Sequence, residues 1–398
     1  MAQRLSRRGV TGSDIAEALR GKRPAWTEID LDALAGNARL IRNRAGGMRR
    51  LLAVVKADAY GHGAVAVSRC LLDEKTEMLG VAIPEEGLEL RRSGINAPVV
   101  VLGAADPSQI PQMVASSLIP TAYSGPFLGS ILDCGHTAGR PVPFHLKIDT
   151  GMGRLGLQPG EVGRALDLLA RWPDAATLEG VLTTLSCSDD PADPHTTAQM
   201  KLFGAMVEKI RAAGHEPRFV HAANSGGVID HPASCLDTVR PGIMLYGLHP
   251  SSRSTRLPLE PVLSLKTRVM LAKRVPAGTH LGYGHAFTTT RPSLIGTLGA
   301  GYADGLSRRI WDRGHVLVRG ARAPYVGRIS MDHAMVDLSD IPGAAEGDEA
   351  VLLGRQGAME IGADQLAAWE ETIPYEVLCR IGARVHRLHI KDGSVQIG

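Results

Sequence analysis

The stretch LLAVVKADAYGHG, residues 51–63, joins a short apolar run to a lysine and a glycine-punctuated segment. Runs of similar β-like composition recur along the chain, separated by stretches such as 162–171 and 197–213 with apolar residues at helical spacing. The eight runs are 51–55, 78–82, 99–102, 119–122, 144–148, 178–182, 219–222 and 237–245. Eight strands alternating with helices across roughly 230 residues predict an N-terminal parallel (β/α)8 barrel.

The pattern changes after the eighth run. Residues 249–261, HPSSRSTRLPLEP, are rich in Pro and Ser and are typical of a connector. From residue 263 the apolar period becomes two, and strand-like runs follow at 294–298, 315–318, 334–338 and 350–353, with a helical insert at 363–371. We therefore predict a polar extension over 1–23 with a short helix near 14–19, the barrel over 24–255, and a mostly antiparallel C-terminal β domain over 256–398.

Composition excludes several classes of protein. The 398 residues are 44% hydrophobic and 21% charged, which is typical of a globular protein. The net charge of +3 comes without a long basic run, so we expect no nucleic-acid partner. Five scattered cysteines without CxxC spacing argue against a disulfide framework and a zinc site. No apolar run is long enough for a membrane span or a secretory signal, so we expect a cytoplasmic protein. We also expect no metal.

The C-terminal ends of the predicted strands are where a barrel places its chemistry. Lys56 follows the first run directly, and burial there would favour a neutral amine able to form a Schiff base. A lone lysine in such a place more often extends to solvent. The segment KIDTGMGR, residues 147–154, follows the fifth run and brings a guanidinium, that of Arg154, to the barrel mouth.

The seventh and eighth strands of a barrel often build a phosphate site from backbone amides and a short helix. Here these strands lead into HAANSGG, residues 221–227, and RPGI, residues 240–243, in which Ser225, Gly242 and Ile243 suit a phosphate. Together with Lys56, these segments predict a Schiff-base lysine, a phosphate cradle and positive groups around a planar ring.

The segment VVKADAYGHG resembles the cofactor-lysine signature of the alanine racemases, and further family motifs stand in the family's order. They are AWTEIDLDAL, KIDTGMGRLG, HAANS, RPGIMLYG, LGYGHAF, GYADG, GRISMD and PYEVLCRIGARVHR. The resemblance extends from residue 24 to about residue 390. It implies an amino-acid racemase that depends on pyridoxal 5'-phosphate, with alanine as the expected substrate and a homodimer with shared active sites as the expected assembly.

The resemblance implies a role for each matching residue. Lys56 holds the cofactor and is one catalytic base, and Tyr283 from the facing subunit is the second. The implied phosphate ligands are Tyr60, Ser225, Gly242, Ile243 and Tyr375; Arg240 faces the pyridine nitrogen, His221 lies beneath the ring, and Asn224 completes the cofactor-binding set. Arg154 contacts the cofactor's phenolic oxygen and the substrate carboxylate, and Lys147, carboxylated in some family members, sits behind it.

The substrate side is implied in the same way. Met331 and Asp332, also from the facing subunit, shape the pocket, while Asp189, Tyr302, Arg308 and Arg328 line the substrate entrance. Racemisation then needs one base on each face of the α-carbon, while the cofactor delocalises the electron pair left behind. A free tyrosine, with a pKa of about 10, is a poor base at neutral pH, so a positive group must assist it.

One position departs from the family. The family has a histidine after the sixth strand, where this sequence reads LTTLS, residues 182–186, with Thr184 at the histidine position. A bound water could fill the gap without consequence. Alternatively the tyrosine base is weakened, which predicts slower catalysis or catalysis displaced to higher pH. His285, two residues beyond Tyr283, is a possible substitute.

Other functions remain to be weighed. A decarboxylase of basic amino acids or diaminopimelate shares this domain plan, but the glycine-triplet loop of those enzymes is absent here. A single-barrel cofactor carrier would lack the second domain. A serine racemase, a racemase of broader specificity and a catalytically impaired paralogue with Thr184 also stay open. So does the use of the product, in D-alanine supply for peptidoglycan or in alanine breakdown.

Overall fold

The computed structural model describes residues 10–397, so the first nine residues of the predicted extension lie outside the described part of the chain. Contacts divide the protein into two compact units. The barrel unit comprises Leu34–Ala59 and Ala64–Glu260. The β unit comprises the chain up to Ala33, the short segment Tyr60–Gly63 and the chain from Pro261 onward.

The helices and strands are numbered in chain order. The helices are α1 (Gly12–Ala18), α2 (Leu31–Arg44), α3 (Lys56–Gly61), α4 (Ala64–Asp73), α5 (Pro84–Arg92), α6 (Ile110–Ala115), α7 (Gly125–Ala138), α8 (Val162–Arg171), α9 (His195–Ala212), α10 (Ser225–Asp230), α11 (Ala363–Glu370) and α12 (Pro374–Cys379). The strands are β1 (Ala25–Asp30), β2 (Arg50–Val54), β3 (Met78–Val81), β4 (Val99–Val101), β5 (Leu118–Ala122), β6 (Val142–Lys147), β7 (Ala176–Leu182), β8 (Phe219–His221), β9 (Thr238–Val239), β10 (Leu263–Val275), β11 (His280–Leu281), β12 (Phe287–Thr288), β13 (Ser293–Leu298), β14 (His315–Val318), β15 (Ala321–Pro324), β16 (Ala334–Asp337), β17 (Glu349–Gln356), β18 (Met359–Ile361), β19 (His386–Lys391) and β20 (Ser394–Ile397).

The eight strands β2 to β9 form a closed parallel barrel, which confirms the predicted fold. Pairing of Arg50 with Thr238 joins the first barrel strand to the last. The eighth predicted run is a strand only over β9, because tight turns follow it, with the Leu245 N–H bonded to the Gly242 carbonyl at 2.9 Å. The strands are almost wholly buried, as expected where helices cover a parallel sheet.

The helices around the barrel follow the apolar spacing. In α8 the buried residues Val162, Ala165, Leu166 and Leu169 follow the i, i+3, i+4, i+7 spacing, which puts them on one face. The helix predicted at 197–213 is α9, which begins two residues earlier. The apolar period therefore located these elements to within a turn.

The β unit is a mostly antiparallel sheet with the order β15-β14-β17-β10-β1-β19-β20, to which β13, β16 and β18 add. This confirms the predicted second domain. Strand β1 pairs with β10 on one side and β19 on the other, although we predicted that the barrel starts at residue 24. Both faces of β1 are buried, so its apolar pattern does not show whether the strand joins the barrel or the C-terminal sheet.

Two further features frame the β unit. The predicted helical insert is α11, and a second helix, α12, begins at Pro374 after Glu371 adopts a left-handed φ of 60°. Such a residue ends a helix, and proline at the first helical position starts the next. Between residues 10 and 397 no helix combines the length and apolar character that a membrane crossing requires.

Candidate active site

Lys56 stands at the start of a left-handed turn. The four residues Ala57–Tyr60 have φ between 52 and 55°, and Gly61 follows at 81°. For L-residues this conformation costs about 1–2 kcal/mol each, so the surroundings must hold it. Glu86 accepts the Ala57 N–H at 2.7 Å. Backbone strain of this kind is common at functional sites, which supports the predicted functional role of Lys56.

Lys147, at the end of β6, is a buried amine among positive groups. Only 5% of the residue is exposed. Burial lowers its pKa to about 8, with Arg240, Arg154 and Lys56 acting in the same direction and Asp149 against them. The structure therefore gathers four predicted site residues near one point of the barrel unit, with a single carboxylate among the groups that act on Lys147.

Asp149 shapes the loop that carries Arg154. Its Oδ1 accepts the N–H groups of Gly151, Met152 and Gly153 at 3.0, 2.9 and 3.1 Å. Burial alone would raise the pKa of Asp149, but these three bonds and the Lys147 amine bring it below its usual value. Arg154 itself is exposed at the loop's end.

Arg240 begins a chain of buried hydrogen bonds. One guanidinium nitrogen lies 2.9 Å from His221 Nδ1, and another donates to the Thr183 carbonyl at 2.6 Å. His221 Nε2 lies 3.0 Å from His145 Nδ1. Arginine only donates, so His221 accepts at Nδ1 and carries its proton at Nε2, which donates to His145.

His221 and His145, the two histidines that follow Arg240 in these hydrogen bonds, are neutral. Burial, and next the charge of Arg240, lowers the pKa of His145 to about 3 and that of His221 well below its usual value. Burial lowers the pKa of Arg240 to about 10, which leaves it charged at neutral pH. The sequence analysis missed His145, although a histidine in the apolar strand β6 is the signal that could have identified it.

The predicted phosphate residues of the barrel unit lie together. Ser225 is buried at the start of α10, and its Oγ accepts the Gly242 N–H at 3.0 Å. Ile243, next in the chain, is fully buried. Asn224 caps α10 through the Gly227 N–H at 3.0 Å. A serine hydroxyl beside tightly turned backbone is the type of donor set that a phosphate requires.

Thr184 lies half-buried beyond β7, next to the carbonyl that Arg240 contacts. Gln199, fully buried on α9, donates to the Thr184 carbonyl at 3.0 Å and to the Thr150 hydroxyl at 3.3 Å. The Thr183 hydroxyl is 2.8 Å from that of Thr150. Thr184 itself is thus held by the uncharged Gln199, and the charged group that contacts this segment is Arg240, through the Thr183 carbonyl.

Tyr283 projects from a hairpin tip in the β unit. It follows Gly282 between β11 and β12, and 71% of it is exposed. A Cβ on Gly282 would approach the Arg328 backbone nitrogen to 2.9 Å, so glycine is required there. The ring of His285 stacks on that of His280 at 4.6 Å. His285 is therefore engaged with another imidazole of the hairpin.

The remaining predicted residues lie in three places in the β unit, except for Asp189, which lies in the barrel unit. Tyr60 is buried, its ring centroid 6.2 Å from that of Tyr375, and burial followed by Tyr375 raises the pKa of Tyr60. Tyr302 lies in a short turn, and its N–H donates to the Ser330 carbonyl at 3.0 Å, next to the exposed Met331 and the half-buried Asp332. Arg308 and Arg328 line a surface groove of about 400 Å³. Asp189 is exposed in the barrel unit, after β7.

Comparison with known proteins agrees with these observations. The chain matches the family models described as alanine racemase, N-terminal domain, over residues 29–250, and alanine racemase, C-terminal domain, over residues 262–389. It is 44% identical over 372 residues to the alanine racemase of Symbiobacterium thermophilum, covering 93% of this chain and 98% of that one.

Solved structures give the same result. The alanine racemase of Clostridium difficile 630 superposes with a TM-score of 0.90 at 36% identity, covering 94% of this chain and 98% of that one. The Bartonella henselae alanine racemase with covalently bound pyridoxal phosphate superposes with a TM-score of 0.83 at 29% identity, over 92% and 99% of the two chains. Both predicted domains are thus covered by each of these two structures.

Proposed function

The chain belongs to the alanine racemase family of pyridoxal-phosphate-dependent isomerases, and we propose that it interconverts L-alanine and D-alanine by two-base proton transfer. Lys56 and the Tyr283 of a second copy are the proposed bases. The observation that carries the proposal is the cluster of Lys56, Lys147, Arg154 and Arg240 at one end of the barrel. Family membership leaves the decarboxylase and single-barrel carrier alternatives without support.

The cationic cluster fits an anionic cofactor. Lys56, Arg154 and Arg240 lower the pKa of Lys147 while Asp149 opposes them, and a phosphate and a phenolate would offset the charge of these four positive side chains. Ser225 with the backbone of Gly242 and Ile243 would hold the phosphate, and Arg154 the phenolic oxygen. When bound, pyridoxal phosphate delocalises the electron pair that deprotonation leaves on the α-carbon. The assignment of Tyr60 and Tyr375 to the phosphate stays a prediction of the resemblance.

Arg240 sets the electronic character of the proposed site. The guanidinium can only donate, so it would favour an unprotonated acceptor if the ring nitrogen of the cofactor faced it. The neutral His221 and His145 behind Arg240 keep its charge and orientation constant, because neither takes up a proton near neutral pH. An unprotonated ring withdraws less charge, which limits side reactions such as transamination.

The second base is proposed to come from another copy of the chain. Tyr283 and Met331 are large side chains that are 71% and 51% exposed, and Tyr302 is exposed beside Met331. Exposed apolar surface, here on Tyr283 and on the neighbouring Tyr302 and Met331, is typical of an interface. With Lys56 on one face of the α-carbon and Tyr283 of the facing subunit on the other, each proton is removed and returned by a positioned group.

Lys147 is proposed to be carboxylated. A lysine whose pKa is about 8 is largely neutral in mildly alkaline solution, and a neutral amine attacks carbon dioxide. The nitrogen–carbon bond forms, one amine proton is released, and a carbamate anion results. That anion would offset part of the charge of Arg154 and Arg240, which burial makes costly.

The direct test is loss of optical rotation from L-alanine with pyridoxal phosphate added, for the wild type beside Lys56→Ala. Racemisation that disappears with the lysine is expected, since no other base is proposed on that face. Lys201→Ala, an exposed lysine on α9, is the matched control and should retain full activity. Cofactor binding without alanine turnover would contradict the proposal and direct the assay to serine and other amino acids.

A further inference from the structure

Asp304 is a fully buried carboxylate at the centre of an ionic cluster in the β unit. Its oxygens accept hydrogen bonds from Arg23 at 2.7 Å and from the Arg384 Nε at 2.9 Å. A third bond, from the Gly301 N–H at 2.8 Å, fixes its orientation. Buried charges persist where they are paired and hydrogen-bonded, as this one is.

The cluster continues to the loop that carries Met331 and Asp332. Arg384 donates to Asp332 Oδ1 at 2.7 Å and to the Met331 carbonyl at 3.2 Å. Arg23 lies 3.3 Å from the Asp332 carbonyl. The two arginines therefore join one buried carboxylate to both residues predicted to shape the substrate pocket.

Backbone hydrogen bonds join the turn at Tyr302 to the loop that carries Met331 and Asp332. The N–H groups of Tyr302 and Ala303 donate to the carbonyls of Ser330 and Met331 at 3.0 and 3.1 Å. A Cβ on Gly301 would lie 2.4 Å from both carbonyl oxygens, so any side chain there would force them apart.

We propose that Asp304 and Arg384 are positioning residues that hold the Met331–Asp332 loop in the conformation the racemase site requires. The inference rests on the proposed function. A loop exposed to solvent samples many conformations, and reaction rates fall sharply when a group is displaced by about 1 Å. The buried Asp304 holds the Arg384 guanidinium in place, and the same guanidinium donates to Asp332. Asp332 is thus kept ionised and in place, since its hydrogen bond to Arg384 lowers its pKa.

A second buried ionic cluster in the same unit provides the control. Lys266 lies 3.0 Å from both Glu28 and Glu349, and it links β1, β10 and β17. These bonds hold the sheet rather than the 330–332 loop. Glu349 is partly exposed, so Glu349→Gln breaks one ion pair without leaving a fully buried charge unpaired.

The experiment compares Arg384→Met, Arg384→Lys and Glu349→Gln in the holoenzyme. We expect Arg384→Met to raise KM for L-alanine about tenfold or more, with a smaller fall in kcat, since a displaced pocket binds substrate poorly. Arg384→Lys, which can still reach one carboxylate, should recover part of the loss. Glu349→Gln should lower Tm by less than Arg384→Met, because Lys266 keeps its ion pair with Glu28, and should leave kcat and KM within about twofold.

Hydrogen exchange separates this inference from the proposed function. Amides of residues 328–333 should exchange faster in Arg384→Met than in the wild type, and at the wild-type rate in Glu349→Gln. Unchanged exchange, or unchanged kinetics together with a lowered Tm, would overturn the positioning role. If the wild type does not racemise alanine, the proposed function fails, and the exchange rates alone then decide whether Arg384 holds the loop.

Discussion

In the barrel unit most of the predicted site residues are buried at strand ends, whereas in the β unit several project from turns into solvent. Lys147 and Arg240 are each about one-twentieth exposed, against 71% for Tyr283 and 51% for Met331. Burial sets the ionisation of the barrel groups directly, lowering the pKa of Lys147 and of His145. We propose that Tyr283 and Met331 serve the site of a second copy, as the resemblance to the alanine racemases implies.

The two regions also differ in how their geometry is held. In the barrel unit, Arg240, His221 and His145 bond to one another within the site. In the β unit, the exposed Met331 stands on a loop that Arg384 joins to Asp304, which is out of solvent. One region orders its functional groups by burying them, and the other by burying the charge that anchors them.

The largest expected effect tests whether the two regions serve each other across copies. Lys56→Ala and Tyr283→Ala chains should each be inactive alone. After subunit exchange, half of the dimers are mixed and each has one intact site, so about a quarter of the wild-type activity should return. Activity is followed by polarimetry, and exchange is verified by native mass spectrometry of isotope-labelled chains. Verified exchange without recovery would mean that the bases are not shared between subunits.

The second prediction tests burial as the cause of amine reactivity in the barrel. With ¹³C-labelled bicarbonate, a carbamate carbon signal is expected in the wild type and not in Lys147→Ala. The pKa of Lys147 is lowered to about 8, so its neutral form dominates above that pH and falls about tenfold per unit below it. The carbamate signal should therefore weaken as the pH is lowered below about 8. A signal that persists in Lys147→Ala would contradict the assignment, and Lys201→Ala should retain it.

The third prediction concerns the buried histidine pair. The pKa of His145 is about 3 in the folded state and about 6.5 when unfolded, so the unfolded chain binds more protons between these values. Stability therefore falls as the pH drops below about 6.5, and each such histidine adds a slope of about 1.4 kcal/mol per pH unit. His145→Asn should reduce that slope by one histidine's share. Denaturant unfolding between pH 5 and 7 measures it, with the exposed His136→Asn as control.

The smallest expected effect is at Thr184. A Thr184→His substitution, which restores an imidazole, should raise kcat a few-fold at neutral pH. It should also shift the increase of activity with pH to lower pH values. The physical reason is that Thr184 carries no charge and its carbonyl accepts from the uncharged Gln199. An unchanged rate and an unchanged profile would show that the departure from the family has no catalytic consequence. Thr184→Asn, which adds bulk without charge, is the matched control.

Several features could be predicted because they depend on local pattern. The eight barrel strands, α8 and α9 were located by apolar spacing, which responds to burial on one face of each element. Strand β1 was assigned to the wrong side of the domain boundary we drew, because a strand buried on both faces has no period that identifies its partner. His145, in the apolar strand β6, and Asp304, in the turn GYADG, were missed because the partners of a polar residue are set only when the chain folds.

The sequence by itself determined the alternation that builds the barrel, the change to period two in the β unit, and the motifs that place a lysine after the first barrel strand. These are properties of neighbouring residues along the chain. Only the tertiary structure decided the lowered pKa of Lys147, the exposure of Tyr283 and the connection from Asp304 through Arg384 to Asp332. Electrostatic interactions and burial act through space, between residues that the sequence separates by tens of positions.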